Sequence, residues 1–179
     1  LETKIPLIKH FLSLADDILI GGAIANTLLA ARGLAVGKSL VDDKRDGLEE
    51  LYSHKKIHLP LDVVVTKRPL SSSSLRKCAV HDVAFDEYIV DIGPKTIQLF
   101  FSLLGTGRMI VWNGPLGVAE KPLFAQGPKR LAMRMRRLRA FKLIGGGDTL
   151  ALLRAYKVLR GFTYVSTGGG AMLEFLAGK

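Results

Sequence analysis

The chain has 179 residues, with 26 Lys and Arg against 16 Asp and Glu, a formal net charge of +10 and a hydrophobic fraction of 48%. This composition belongs to a folded globular domain, excludes a disordered chain, and suits by length one domain or at most two small ones. A single cysteine, Cys78, excludes an internal disulfide and fits a reducing compartment.

The N-terminus, Leu1-Glu2-Thr3-Lys4, has no initiator Met, basic segment or cleavage pattern. No signal peptide is expected, and the chain is read as beginning inside a longer protein. Apolar spacing predicts a helix over 3–14, with Pro6 tolerated in its first turn. A short apolar strand at 17–20 runs into Gly21-Gly22, then into a helix at 23–32 closed by Gly33. The uncharged run from Ile18 to Ala31 has 14 residues. A spanning helix needs about 18–20, so no membrane segment is expected. A polar helix is predicted at 43–52 and a β-branched strand at 61–65. A serine-rich loop at 66–77 and a short strand at 78–83 follow. Asp91-Ile92-Gly93-Pro94 then opens a helix through 104, with Pro94 in its first turn.

The last third repeats one unit. Strands at 109–112, 141–144 and 163–166 each run into a glycine-rich turn: Asn113-Gly114-Pro115-Leu116-Gly117, Gly145-Gly146-Gly147-Asp148-Thr149, and Thr167-Gly168-Gly169-Gly170. With Ile20-Gly21-Gly22 there are four such strand ends. The alternation predicts an α/β fold, a three-layer, Rossmann-like parallel sheet with helices on both faces. Right-handed crossovers place all four turns on one edge, where open α/β sheets bind ligands. Helices starting after such turns present free N–H groups and a partial positive charge, so the edge is expected to bind a polyphosphate.

Other motifs carry less. Gly37-Lys38-Ser39 ends like a Walker A loop, but Arg32 stands where that loop needs its first glycine. His54 and His58 read as a surface pair rather than a metal site, and Cys78 as a core thiol. The arginines at 130, 134, 136, 137 and 139 interleave with Leu131, Met133, Met135 and Leu138 and not with aromatics. They read as the solvated face of a helix, not a nucleic-acid surface. Asp148, after three glycines, fits equally an N-cap and a Mg²⁺ ligand beside phosphates. Lys4, taken alone, reads as a surface lysine.

Taken together, five blocks resemble the C-terminal, nucleotide-binding half of phosphoglycerate kinase. They are Ile20-Gly21-Gly22-Ala23 with Gly37-Lys38-Ser39-Leu40; Asp91-Ile92-Gly93-Pro94; Val111-Trp112-Asn113-Gly114-Pro115-Leu116-Gly117-Val118; Ile144-Gly145-Gly146-Gly147-Asp148-Thr149; and Ser166-Thr167-Gly168-Gly169-Gly170-Ala171-Met172-Leu173-Glu174-Phe175-Leu176. The resemblance implies reversible phosphoryl transfer between 1,3-bisphosphoglycerate and ADP, giving 3-phosphoglycerate and Mg-ATP. It implies that Lys4 contacts the nucleotide phosphates and the group in flight. Gly21, Gly22, Pro115 and Val118 would wall the adenine pocket, Asn113 face the phosphates, and Glu120 hold the ribose hydroxyls. Gly146, Gly147, Asp148 and Thr149 would form the phosphate and Mg²⁺ loop, with Asp148 on the metal. Gly168, Gly169 and Gly170 would face the transferred phosphoryl, with Lys4, Gly147 and Gly170 as the catalytic set. It further implies a cytoplasmic monomer, with no nucleic-acid or membrane partner.

Against that pattern, the Gly-Gly-Ala-Lys block and the strand leading into it, expected upstream of Leu1, are absent. So are the N-terminal domain and the final tail. The chain is therefore expected to be one nucleotide-binding domain over 1–179, truncated at both ends and lacking its first strand. It is expected to keep part of a nucleotide site without turnover, a non-catalytic nucleotide-binding module being the alternative.

Overall fold

The computed structural model describes residues 4–43, 47–67, 75–118 and 121–178. In chain order the elements are α1 (Ile5–Phe11), β1 (Ile18–Leu19), α2 (Gly22–Ala31), α3 (Glu49–Tyr52), β2 (Ile57–His58), β3 (Asp62–Thr66), β4 (Arg76–Ala79), β5 (Tyr88–Ile92), α4 (Pro94–Leu104), β6 (Met109–Asn113), α5 (Gln126–Met135), β7 (Phe141–Gly145), α6 (Gly147–Ala155), β8 (Tyr164–Ser166) and α7 (Gly169–Leu176). Parallel strands flanked by helices make up the α/β architecture that the pattern predicts. β6, β7 and β8 are parallel neighbours, with Asn113 opposite Gly145 and Gly145 opposite Ser166. β1 and β2 form a second parallel pair.

A third sheet is antiparallel, in the order β4-β3-β5. Periodicity alone did not bring it out, because β5 (Tyr-Ile-Val-Asp-Ile) carries a buried acid where an apolar residue would mark a strand. The strand expected at 78–83 lies at 76–79 instead. Val80 N–H still donates in register to Leu61 O, after which Val80–Asp82 coil into a 3₁₀ turn and end the strand.

The main core lies between β6-β7 and the helices α4, α5 and α6, built on Phe100, Trp112, Leu131, Ile144 and Leu153. Burying each such side chain stabilises the fold by about 1.5–3 kcal/mol. A second cluster, with Ile20, Leu28, Leu51 and Ile57, packs α1 and α2 over β1 and β2.

Two buried carboxylates hold helix N-termini. Asp62 accepts the N–H groups of Lys95 (3.0 Å) and Thr96 (2.7 Å), capping α4. A side chain on Gly93 would overlap the Asp62 carboxyl, so the block Asp91-Ile92-Gly93-Pro94 needs glycine there. Asp91 accepts the N–H of Gly127 at 2.7 Å at the start of α5.

Candidate functional site

The glycine-rich turns meet at the C-terminal ends of the parallel strands. Gly22 N–H donates to Leu116 O at 3.1 Å, tying the start of α2 to the turn after β6. Gly22 has φ +63, and a methyl group there would sit 2.9 Å from Pro115 O, so backbone strain and close approach both demand glycine. On the far side of that turn, Val118 N–H donates to Val90 O at 2.8 Å. Gly21, Gly22, Pro115 and Val118 thus lie on two turns that pack against each other. Leu116, whose carbonyl accepts Gly22 N–H and whose side chain abuts Gly21, joins the two turns.

Next along the edge, Asn113 Nδ2 donates to Gly169 O at 2.7 Å, joining β6 to α7. Gly169 is buried, and a methyl group on it would lie 2.6 Å from both Asn113 Nδ2 and Gly146 N. Its missing side chain is thus explained by packing. Gly147 and Gly170 differ: both are exposed, and a methyl group on either meets no atom within 4 Å. Gly168 is also exposed.

Lys4 is exposed, and its Nζ lies 3.5 Å from the position a methyl group on Gly114 would take. Among the described residues it has no acidic partner. A methyl group on Gly146 would in turn lie 3.6 Å from Gly114 N and 3.6 Å from Thr149 Oγ1. Lys4, Asn113, Gly114, Gly146 and Thr149 therefore form one neighbourhood at the strand ends. Thr149 is 1% exposed, and among the described residues its Oγ1 is a buried side-chain polar atom with no hydrogen-bond partner. Such an atom costs about 1–3 kcal/mol if nothing ever reaches it. An unpaired ammonium, an orphaned hydroxyl and the free first-turn N–H groups of α6 and α7 are the parts of an anion site.

Asp148 is exposed in the first turn of α6, and among the described residues it has no partner. No group of three or more His, Cys, Asp or Glu stands ready for a metal among the described residues. One free carboxylate does not make a resident metal site. It does fit Mg²⁺ arriving on phosphate oxygens, since that ion is typically held by one or two carboxylates plus substrate phosphates. Glu120, implied for the ribose, lies outside the described residues.

The remaining motifs are structural. Gly37 has φ +58, and a side chain on it would overlap Glu87 O; Lys38 N–H donates to Glu87 O at 2.7 Å, and Ile89 N–H donates to Ser39 Oγ at 2.8 Å. Gly37-Lys38-Ser39 straps this loop to β5 and forms no phosphate loop. His58 pairs with Asp17 at 2.7 Å. Leu131, Ala132 and Met135 bury one face of α5, while Arg130, Arg134, Arg136, Arg137 and Arg139 are exposed. Arg134 stacks on Phe101 of α4 and Lys129 on Tyr156 at the end of α6, and α5 itself carries no aromatic residue. Among the described residues no helix is long and apolar enough to cross a membrane.

The parallel strands, flanking helices and glycine edge define a Rossmann-like α/β domain. The phosphoglycerate kinase family pattern matches residues 1–179. The chain belongs to the phosphoglycerate kinase family. It is similar to the structure of phosphoglycerate kinase from Coxiella burnetii, with 39% identity and a TM-score of 0.91 over 99% of this chain and 48% of that one. It is also similar to phosphoglycerate kinase from Pyrococcus horikoshii, with 28% identity and a TM-score of 0.80 over 99% of this chain and 47% of that one. The chain spans about half the length of these relatives.

Proposed function

We propose that this chain is the nucleotide-binding half of a phosphoglycerate kinase. It holds ADP or ATP while a phosphoryl group passes between 1,3-bisphosphoglycerate and ADP, giving 3-phosphoglycerate and ATP. The bond between phosphorus and the carboxyl oxygen breaks, and one forms to a terminal oxygen of ADP. Such a transfer asks the protein for position and for donors aimed at the phosphoryl oxygens, with little covalent help. Lys4 supplies a cation, and Gly147 and Gly170 open the first turns of α6 and α7 to the phosphates. Asn113 fixes the two turns against each other, while Gly21, Gly22, Pro115 and Val118 shape the adenine wall and Glu120 takes the ribose. Asp148 would hold the Mg²⁺ that arrives with the nucleotide, and the ion would supply charge neutralisation on the phosphate oxygens. The phosphoglycerate is held chiefly by the other half of the relatives' length.

The observation that carries this reading is the buried Thr149 Oγ1, which has no partner among the described residues, beside Gly146, Gly114 and a Lys4 that has no acidic partner among them. The test is an ADP titration of the 179-residue chain with and without Mg²⁺, repeated on Asp148→Ala. ADP is expected to bind, with a Mg²⁺ enhancement that the variant loses. An enhancement unchanged in Asp148→Ala removes the metal role, and no binding at all removes the nucleotide reading. The same chain is expected to show no turnover in a coupled kinase assay, and substantial activity there refutes that part.

A further inference from the structure

The wall built by residues 115–118 rests on something outside the nucleotide edge. A side chain on Gly117 would overlap Val90 O and lie 2.9 Å from Asp91 Cα, so the turn sits directly on the backbone of β5. Val118 N–H donates to Val90 O from the same turn. That stretch of β5 is fixed by the Asp91 carboxyl, which is 2% exposed. Oδ1 accepts Ile92 N–H at 2.8 Å, and Oδ2 accepts Gly127 N–H at 2.7 Å. A methyl group on Gly127 would come within 2.5 Å of Oδ1, so α5 is seated against this carboxyl with no slack.

We propose that Asp91 is a positioning residue for the nucleotide site, pinning β5 to the start of α5 so that Gly117 and Val118 are held at the adenine wall. The inference rests on the nucleotide reading above. It adds that the wall responds to the protonation of a group that never touches the ligand. Burial pushes the Asp91 carboxyl up to about 7, against the pull of the N–H groups of Gly127, Ile92 and Gln126 and of the Arg130 charge. The surrounding charged and titratable groups are Arg130 on α5, Tyr156 at the end of α6, Asp62 on β3 and Tyr88 on β5 itself. Asp62 is engaged by Lys95 and Thr96, and α2, which also packs on β5, carries no charged residue. The ionised carboxylate accepts at both oxygens. The protonated acid presents one O–H to this ring of donors and holds one N–H poorly. The pin is therefore tighter on the alkaline side.

The test uses adenosine, because the phosphates of ADP titrate close to the same pH. For the parent chain, the adenosine Kd is expected to tighten about threefold between about pH 6 and about pH 8, a part of one hydrogen bond's worth. Asp91→Asn, which mimics the protonated acid, is expected to bind at the parent's acid-side Kd throughout, with no pH dependence. In the parent, the amide shifts of Gly117 and Val118 are expected to titrate with the same midpoint as Gly127. That measurement stands even if Asp91→Asn fails to fold. A variant that keeps the parent's pH profile, a parent with none, or a Gly127 amide that titrates alone overturns the proposal and leaves the nucleotide reading intact. A parent chain that binds neither adenosine nor ADP ends both.

Discussion

Two glycines on neighbouring helix starts, Gly147 and Gly169, are expected to respond in opposite ways to the same added methyl group. In Gly169→Ala the Cβ would lie 2.6 Å from Gly146 N and 2.7 Å from Gly146 Cα. Ordinary contact needs about 3.4–4 Å. Gly146 is held at φ +96 by β7 on one side and α6 on the other, so α7 must move outward. Overpacking of this kind costs about 1–3 kcal/mol. The same movement strains the 2.7 Å bond from Asn113 Nδ2 to Gly169 O, worth about 1 kcal/mol. Alanine returns roughly 0.5–1 kcal/mol of helix propensity. The net loss is about 1–3.5 kcal/mol, which for a chain of this size lowers Tm by about 2–14 °C. In Gly147→Ala the methyl group meets nothing within 4 Å. Stability should hold or rise by up to about 1 kcal/mol, while ADP affinity falls about tenfold as the methyl group fills phosphate space. Thermal melts and ADP titration on both variants decide the matter. A Gly169→Ala chain that melts with the parent refutes the packing argument. A Gly147→Ala chain that binds ADP as the parent does refutes the claim that this glycine is bare for a ligand's sake.

Three further outcomes are expected. Lys4→Met should weaken ADP about tenfold or more and adenosine hardly at all, and the parent's ADP affinity should fall with added salt more steeply than the variant's, measured by titration at two ionic strengths. Thr149→Val removes a buried hydroxyl that has no partner among the described residues, so the unliganded chain should gain about 1 kcal/mol in a denaturant melt while ADP binding weakens. For Asp91, the folded value of about 7 lies above the unfolded value of 3.8, so the native state binds the extra proton. Its contribution is complete below about pH 4, is lost as pH rises to about 7 and is flat beyond, amounting to up to about 4 kcal/mol. The difference in unfolding free energy between the parent and Asp91→Asn across that range isolates it, and a difference that stays constant contradicts the burial argument.

The α/β class and the glycine edge were legible because short apolar strands running into glycine are local patterns. What escaped was non-local. β2 has two residues and β5 carries Asp91, so neither makes a periodic signal; each exists because a partner strand supplies the ladder. The Walker-like Gly37-Lys38-Ser39 shows the converse. Its glycine is required by the left-handed backbone and the approach of Glu87 O, both invisible in sequence. Lys4 is the sharpest case in the site. Nothing around it in the chain distinguishes it from a surface lysine, and only the fold brings its ammonium beside Gly114, 110 residues away in sequence.

Charge misdirects for a related reason. No acid lies between residues 121 and 147, and that segment holds +8 of the net +10. Yet its arginines on and after α5 are solvated or stacked on the protein's own aromatics. At that edge the described residues offer one ammonium, one buried hydroxyl and backbone N–H groups. These are few charges, but strand ends and helix starts set the directions of the backbone donors, and the proposed phosphate would meet them without reorganising the protein. Anion recognition of this kind scales with preorganised donors rather than with net charge. The glycine count therefore says more about the ligand than the +10 does.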